Sequence, residues 1–335
     1  MMATSCAAPS FQQKQSDLIH QPVMPEETVH YLFTDPSGVY VDATFGAGGH
    51  AGRLLRSLGP QGRLIGIDRD GWAVDRFSRL PMSRDPRVTV VRSNFSRLED
   101  ILFSRDIDQI SGILFDLGLA SFQIDDPGRG FSYLQDGPLD MRMDDSKGPT
   151  ARQIIDSYSE EQLARLIREY GQERRWRRIA AAIVTERQKE SITSTARLAD
   201  IVRSVVPQNR VVKSLARVFQ SLRIVVNDEL EELRRGLETA VRILTTEGRL
   251  VVLCYQSLED RIVKEAFQYF SGVCRCPKDL PRCVCGAHPV IEILNRKAVR
   301  ASAQEQIDNP RARSARLRAA RKLPQTDGYV SSKKR

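Results

Sequence analysis

No stretch of this chain approaches the roughly 18 consecutive apolar residues that a membrane-spanning helix needs, and a helical span is thereby excluded. Residues 1–19 carry only Lys14 and Asp17 as charges and lack the apolar block, about 7–15 residues long, of a secretory signal. They read as a loose tail on a soluble, cytoplasmic protein. Cysteine is sparse too. Six in 335 residues make no secreted disulfide framework. Cys6 and Cys254 stand alone, while Cys274-Arg275-Cys276 and Cys283-Val284-Cys285 form two close pairs among Pro277, Pro281 and Gly286. Four thiolates on two tight turns suit a tetrahedral zinc, with disulfides and unpaired thiols as competing readings. No other metal site is expected. Acid is the minority charge: 42 Asp and Glu face 51 Lys and Arg, a net charge of +9. That excess favours a polyanionic partner, nucleic acid before membrane, and a basic surface kept for solubility is the plainer alternative.

What the chain does have is a glycine cluster in a telling place. Tyr40-Val41-Asp42-Ala43-Thr44-Phe45-Gly46-Ala47-Gly48-Gly49-His50 joins a short β-branched run to a helical pattern carrying Leu54, Leu55 and Leu58. Gly59-Pro60 stops the helix, and Leu64-Ile65-Gly66-Ile67-Asp68 follows as a second apolar run ending in an acid. Glycines let the backbone turn sharply and approach a ligand, whose polar end then meets free N–H groups at the helix start. An acid at the second strand tip accepts hydrogen bonds from two ribose hydroxyls. The pattern fits a nucleoside-containing cofactor, and adenosylmethionine and dinucleotides both satisfy it.

Val88 to Val91 reads as a third strand, followed by Ser93-Asn94-Phe95, where Phe95 is placed to cover a flat ring. Ile110 to Phe115 is apolar throughout, as a buried parallel strand should be, and ends in Asp116 beside Gly118. From Asp125 the texture changes. A long loop rich in charge and glycine (Arg129-Gly130-Phe131, then Asp140-Met141-Arg142) gives way to helical stripes, one of them carrying Arg174, Arg175, Arg177 and Arg178 around Trp176. Those arginines form either a solvated face or one turned to RNA. Apolar positions from Phe219 to Leu244 predict one long amphipathic helix. Strands return at Arg249 to Tyr255 and, last, at Val290 to Leu294.

The expected architecture is α/β, a Rossmann-like sheet with an inserted, mainly helical domain. Residues 20–124 and 217–300 would form the sheet domain, 125–216 the insertion and 301–335 a basic C-terminal tail. Within that tail, Asn309 to Lys322 has six basic residues and no acid, and favours RNA through counterion release. No RRM or KH signature appears, so shape and charge would do the gripping.

The run from Arg129 to Asp144, the Asp116 segment, Phe219-Gln220-Ser221-Leu222-Arg223-Ile224, Ser257-Leu258-Glu259-Asp260-Arg261 and the Asn-Pro-Arg-x-Arg-Ser ending resemble one family over about residues 20–323. It is the small-subunit ribosomal RNA cytosine-N4 methyltransferases, the MraW or RsmH family. The resemblance implies a class I methyltransferase sheet. It also implies methyl transfer from S-adenosylmethionine to the exocyclic amine of a cytidine in the decoding region of 16S rRNA, within the small ribosomal subunit. Carried over, the cofactor contacts are Gly48, Gly49, His50, Asp68, Phe95, Asp116 and Gln123. Asp116 is the candidate for polarising the amine, and Arg129, Phe131, Asp140 and Arg142 are candidates for the wall around a flipped base. Asp140 and Arg142 could equally be an ion pair within the loop. A homodimer is compatible with the family.

The chain departs from the family pattern at Lys213-Ser214-Leu215-Ala216-Arg217, Gln256 (usually His), Ala120 (usually Ser) and Gln172 (usually Glu). The substitutions at Gln256 and Ala120 keep a rival alive, an assembly factor that binds cofactor and RNA without catalysis. An NAD-dependent oxidoreductase is less well served, because Gly46-Ala47-Gly48-Gly49-His50-Ala51 lacks the last glycine of Gly-x-Gly-x-x-Gly.

Overall fold

The computed structural model describes residues 21–274, 276–277, 280, 284–285 and 288–324. Strands β1 (Val39–Asp42), β2 (Arg63–Asp68), β3 (Val88–Arg92), β4 (Ile110–Asp116) and β5 (Leu244–Cys254) pair in parallel. Two more, β6 (Ile291–Ile293) and β7 (Arg316–Lys322), add an antiparallel edge. The strand order is β3-β2-β1-β4-β5-β7-β6. The chain therefore winds outward from β1 in one direction and from β4 in the other, and a crevice opens at the carboxyl ends of these two neighbours.

Helix α1 (Pro25–Leu32) precedes β1, α2 (Gly49–Leu55), α3 (Gly71–Phe77) and α4 (Leu98–Phe103) lie between the first four strands, and α5 (Ser121–Asp125) follows β4. The insertion contributes α6 (Ala151–Ser157), α7 (Glu160–Glu169), α8 (Trp176–Lys189), α9 (Thr195–Val205) and α10 (Val211–Val226). Then α11 (Glu229–Ile243) leads into β5, α12 (Ser257–Phe270) leaves it, and α13 (Ala303–Asp308) precedes β7. None of the described helices is long and apolar enough to cross a membrane.

Successive side chains of a strand point to opposite faces, so each central strand feeds two cores. Val41, Ile65, Ile113, Phe115 and Val252 pack against α4, α11 and α12 on one face. Tyr40, Leu64, Leu114, Val251 and Leu253 pack against the α1 and α2 side on the other. This double burial is why β4 reads as an unbroken apolar run. A third core lies wholly within residues 131–226 and includes Ile154, Leu163, Ile179, Leu198, Val218 and Leu222. The insertion thus has its own apolar centre, and α10 belongs to it, beyond the boundary at 216 read from the sequence.

Two further expectations change. The predicted single helix from Phe219 to Leu244 is two helices, broken at Asn227-Asp228, where Asp228 takes a left-handed φ of 48°. The Asn227 side chain explains the break: its amide donates to the Met141 carbonyl (2.7 Å) and accepts from the Met143 backbone N–H (2.8 Å), tying the charged loop to the helix corner. The basic segment is also no tail from 301 to 322. Arg316–Lys322 is a strand between β5 and β6, and its charges are spent inside the protein. Arg316 and Arg318 share Asp260 (2.6 and 2.7 Å), Arg321 reaches Glu247 (2.7 Å) and Glu292, and the Lys322 ammonium meets the Val241 carbonyl.

Candidate active site

The glycine turn closes on itself before it offers anything to a ligand. Gly48 N–H donates to the Phe45 carbonyl (2.8 Å), and Gly48 holds a φ of 79° that a side chain would strain. A Cβ there would also meet the Phe45 ring at 3.0 Å. Gly46 N–H donates to Asp68 Oδ2 (2.7 Å), while Asp68 Oδ1 takes the Asp70 N–H (2.9 Å). Asp68 therefore ties the β1 turn to the β2 tip. Burial pushes its carboxyl up to about 6, with those two N–H donors working against the rise.

A cavity of about 300 Å³ opens over these tips, at the lower end of the roughly 300–1,000 Å³ usual for small-molecule sites. Gly49, His50, Asp68, Phe95, Asp116 and Gln123 all line it. Gly48 is the exception among the expected contacts and shapes the turn behind. Phe95 turns its edge to Phe115 (centroids 5.3 Å) and rests where Gly236 of α11 leaves room, since a Cβ there would lie 2.8 Å from the ring.

Asp116 sits at the cavity floor and is held from three directions. Its backbone N–H donates to Thr44 Oγ1 (2.6 Å), the Tyr255 hydroxyl donates to Oδ1 (2.7 Å), and His50 Nε2 stands 3.4 Å from Oδ2. Burial and the neighbouring carboxylate push the Tyr255 phenol well above its ordinary value, so it stays a donor. Burial pulls the His50 imidazole down, but Asp116 and Asp42 outweigh it and leave it raised. Asp42, buried behind them, is pushed up to about 7 by burial, partly offset by His50. The result is two acids sharing one imidazole beneath the cavity.

Gln123 is more occupied than a free cofactor contact would be. Its Oε1 accepts from Ala120 N–H (3.0 Å), the half of a capping box that remains when alanine replaces the serine that would accept the Gln123 N–H, and its Nε2 donates to Asp70 Oδ2 (2.8 Å). Asp70 is the hub here: 2% exposed, it caps α3 through Trp72 N–H (3.0 Å) and receives Arg129 on both oxygens (3.0 and 3.3 Å).

The four residues expected to wall a substrate base lie outside the cavity lining. Arg129 is taken by Asp70 and the Arg142 and Met143 carbonyls. Phe131 is buried in the insertion core. Asp140 and Arg142 form an ion pair (2.8 Å) within the loop, the plainer of the two sequence readings. Charged groups two residues apart in a turn are geometrically free to meet, and here they brace the loop. Cys283 lies outside the described residues, and Cys274, Cys276 and Cys285 lie together beyond α12.

The sequence reading missed Tyr255, Asp70, Phe122 and Arg311. Asp70 carried a signal, an acid immediately before a helical stripe. Phe122 stacks on Trp72 (centroids 3.6 Å) at the cavity edge, and Arg311 reaches Ser121 from the far end of the chain. No local pattern announces either contact.

The polar wall fits a polar organic ligand. His50 Nδ1 and Gln256 Oε1 are buried beside the cavity without a hydrogen-bond partner. Buried polar atoms are rarely left so, and a bound group supplying complementary donors and acceptors accounts for them.

Comparison with known proteins agrees. Residues 17–323 match the MraW methylase family. Three relatives, each named ribosomal RNA small subunit methyltransferase H, align along nearly their whole length. That of Caldicellulosiruptor saccharolyticus is 47% identical over 91% of this chain and 99% of its own. Those of Geotalea daltonii (45%; 92% and 100%) and Symbiobacterium thermophilum (46%; 91% and 96%) are close behind. A solved rRNA methylase from Streptococcus thermophilus is a distant likeness, with a TM-score of 0.40 and 11% identity over 90% of this chain and 94% of its own. With the family model spanning the sheet, the insertion and β7, this chain belongs to the MraW methylase family, enzymes that take their methyl group from S-adenosylmethionine.

Proposed function

We propose that this chain methylates the exocyclic N4 amine of a cytidine in the decoding region of 16S rRNA, acting on the small ribosomal subunit. The observation that carries the reading is Asp116, a carboxylate held by Tyr255 and His50 at the floor of a cavity lined by the glycine turn and Asp68. Gly49, His50, Asp68, Phe95 and Gln123 are the residues we assign to the cofactor. Asp68 would serve the ribose, with Phe95 near the adenine.

When bound, S-adenosylmethionine supplies a methyl group that is already electrophilic. What the chain contributes is position and polarisation of a poor nucleophile. The lone pair of a cytosine amine is shared with the ring, and an acceptor on one of its N–H bonds localises that pair. Asp116 is that acceptor, its rotamer fixed by the Tyr255 hydroxyl and its backbone by Thr44. Holding the amine in line with the methyl group does much of the rest. No strong base is required beforehand, because the methylated amine sheds its proton readily. The raised His50, between Asp42 and Asp116, moderates the negative charge beneath the site.

RNA would be gripped at the insertion. Arg174, Arg175, Arg177 and Arg178 enter none of the ion pairs that occupy Arg152, Arg168, Lys189, Arg197 and Arg203. Arg177 and Arg168 both flank the Trp176 ring, at 4.0 and 5.4 Å. Unneutralised arginines around an aromatic suit phosphate and base together.

The test is transfer of radiolabelled methyl groups to small subunits from cells lacking this protein, with the modified nucleoside identified by mass spectrometry. Asp116→Asn should lower the transfer rate by roughly 100-fold while cofactor affinity, read by calorimetry, survives. Label at a ring carbon or a ribose would sink the amine chemistry. Subunit binding without transfer by the unaltered protein would favour the assembly-factor reading.

A further inference from the structure

Between α12 and β6 the chain makes an excursion that the proposed chemistry does not use. Its base is pinned by an antiparallel bridge between Ser271 and Pro289 and by the Val290 N–H to the Phe270 carbonyl (2.7 Å). Between these anchors there is no helix or strand among the described residues. The apolar side chains there face solvent: Val273 is 52% exposed, Leu280 37% and Val284 78%. Among the described residues of this loop no apolar core forms, and such a loop needs some other staple to order it.

The staple is in the sulfur positions. The Sγ atoms of Cys274, Cys276 and Cys285 all lie within 4.8 Å of one another. Cys274 and Cys285 are 3.7 Å apart. Sulfurs bound at about 2.3 Å to one tetrahedral ion stand about 3.8 Å from each other, so this separation suits two ligands to a shared metal. Backbone N–H groups also aim at the sulfurs: Cys276 N–H at Cys274 Sγ (3.4 Å) and Val284 N–H at Cys276 Sγ (3.3 Å). Such donors orient the ligand, as supporting contacts around metal sites do.

We propose that Cys274, Cys276 and Cys285 bind a structural zinc ion that orders the 271–289 excursion. The sequence offers a further thiol, Cys283, which lies outside the described residues; the proposal rests on the other three. Binding is coordination without redox change. Each thiol releases its proton to solvent as the Zn–S bond forms, so affinity should fall in acid. Zinc is favoured over magnesium or calcium because the ligands are soft sulfur rather than oxygen.

The proposal is tested by measuring metal in the full chain, purified under reducing conditions, by plasma mass spectrometry. About one zinc per chain is expected, released when the thiols are titrated with a mercurial. Cys276→Ser with Cys285→Ser should lower zinc content at least about fivefold while cofactor affinity stays within about twofold, since the excursion lies outside the cavity lining. If that variant fails to fold, X-ray absorption on the unaltered protein decides: a sulfur shell near 2.3 Å supports the site, and a nitrogen or oxygen shell overturns it. No zinc after reconstitution with one equivalent, or equal zinc in the variant, also overturns it.

Discussion

Replacing Tyr255 by Phe removes one oxygen and leaves the ring, and it asks directly whether Asp116 works by being held still. The hydroxyl donates to Asp116 Oδ1 at 2.7 Å, and a hydrogen bond to a charged group contributes about 1.5–3 kcal/mol. Were all of that expressed in the transition state, the rate would fall roughly 10- to 150-fold. The lower end is expected, because Thr44 still holds the Asp116 backbone and His50 still stands beside Oδ2. The measurement is single-turnover methyl transfer to unmethylated small subunits, with cofactor affinity by calorimetry and thermal unfolding beside it. We expect transfer about tenfold slower and affinity changed by less than about twofold, since the ring that lines the cavity is unchanged. A rate within twofold of the parent would refute the positioning role. So would a loss of affinity as large as the loss of rate, because the hydroxyl would then serve cofactor binding.

Three further outcomes follow from the same geometry. Burial holds the Asp68 carboxyl at about 6, and in the proposed role its ionised form accepts the ribose hydroxyls; cofactor affinity should then be flat above pH 7 and fall by up to about tenfold per unit below pH 6, with proton release on binding. Because this folded-state value is raised, the folded protein keeps the proton more tightly than the unfolded one as pH drops from about 6 to 4, so Asp68 itself adds stability over the window in which affinity is lost. Unfolding midpoints that fell in step with affinity would contradict this. Asp70→Ala should cost about 3 kcal/mol in urea unfolding, because Arg129, partly covered, keeps only two carbonyls. Arg174→Glu with Arg177→Glu should weaken rRNA binding and flatten its salt dependence by about 0.7–0.9 for each phosphate no longer neutralised, leaving cofactor affinity untouched.

The legible parts of this chain were those whose cause is local. Parallel strands buried on both faces read as apolar runs, and an acid at each of two run ends marked the crevice. The Asn227 break stayed hidden because Val226 and Leu230 keep a spacing of four across it, so the apolar period passes over the corner undisturbed. Strand β7 was hidden by its charge. Arg316, Arg318 and Arg321 read as a basic tail, and the acids that absorb them, Asp260, Glu247 and Glu292, lie at least 29 residues away in sequence. In the same way, Arg129 and Arg142 looked available for RNA until their partners were visible. Basic residues show their sign in a sequence but not whether an acid already faces them.

The place where the insertion departs ties these observations together. It leaves the sheet after β4, the strand that ends in Asp116, and returns through α10 and α11, whose corner carries Asn227. Arg129 fastens the departing loop to Asp70 at the β2 tip, and Asn227 fastens it again through Met141 and Met143. Met143 from the loop and Arg223 and Glu229 from the corner then help line the cavity. The insertion is thus clamped across the carboxyl ends of the strands at two points, one reaching the β2 tip that we propose serves the ribose and one the corner before α11, which seats Phe95. A base brought by RNA lying on α8 would enter a site whose cofactor side and substrate side share these clamps. Cutting a clamp should therefore disturb both binding events, whereas cutting an α8 arginine should disturb only one, and that asymmetry separates a rigid lid from a loosely tethered one.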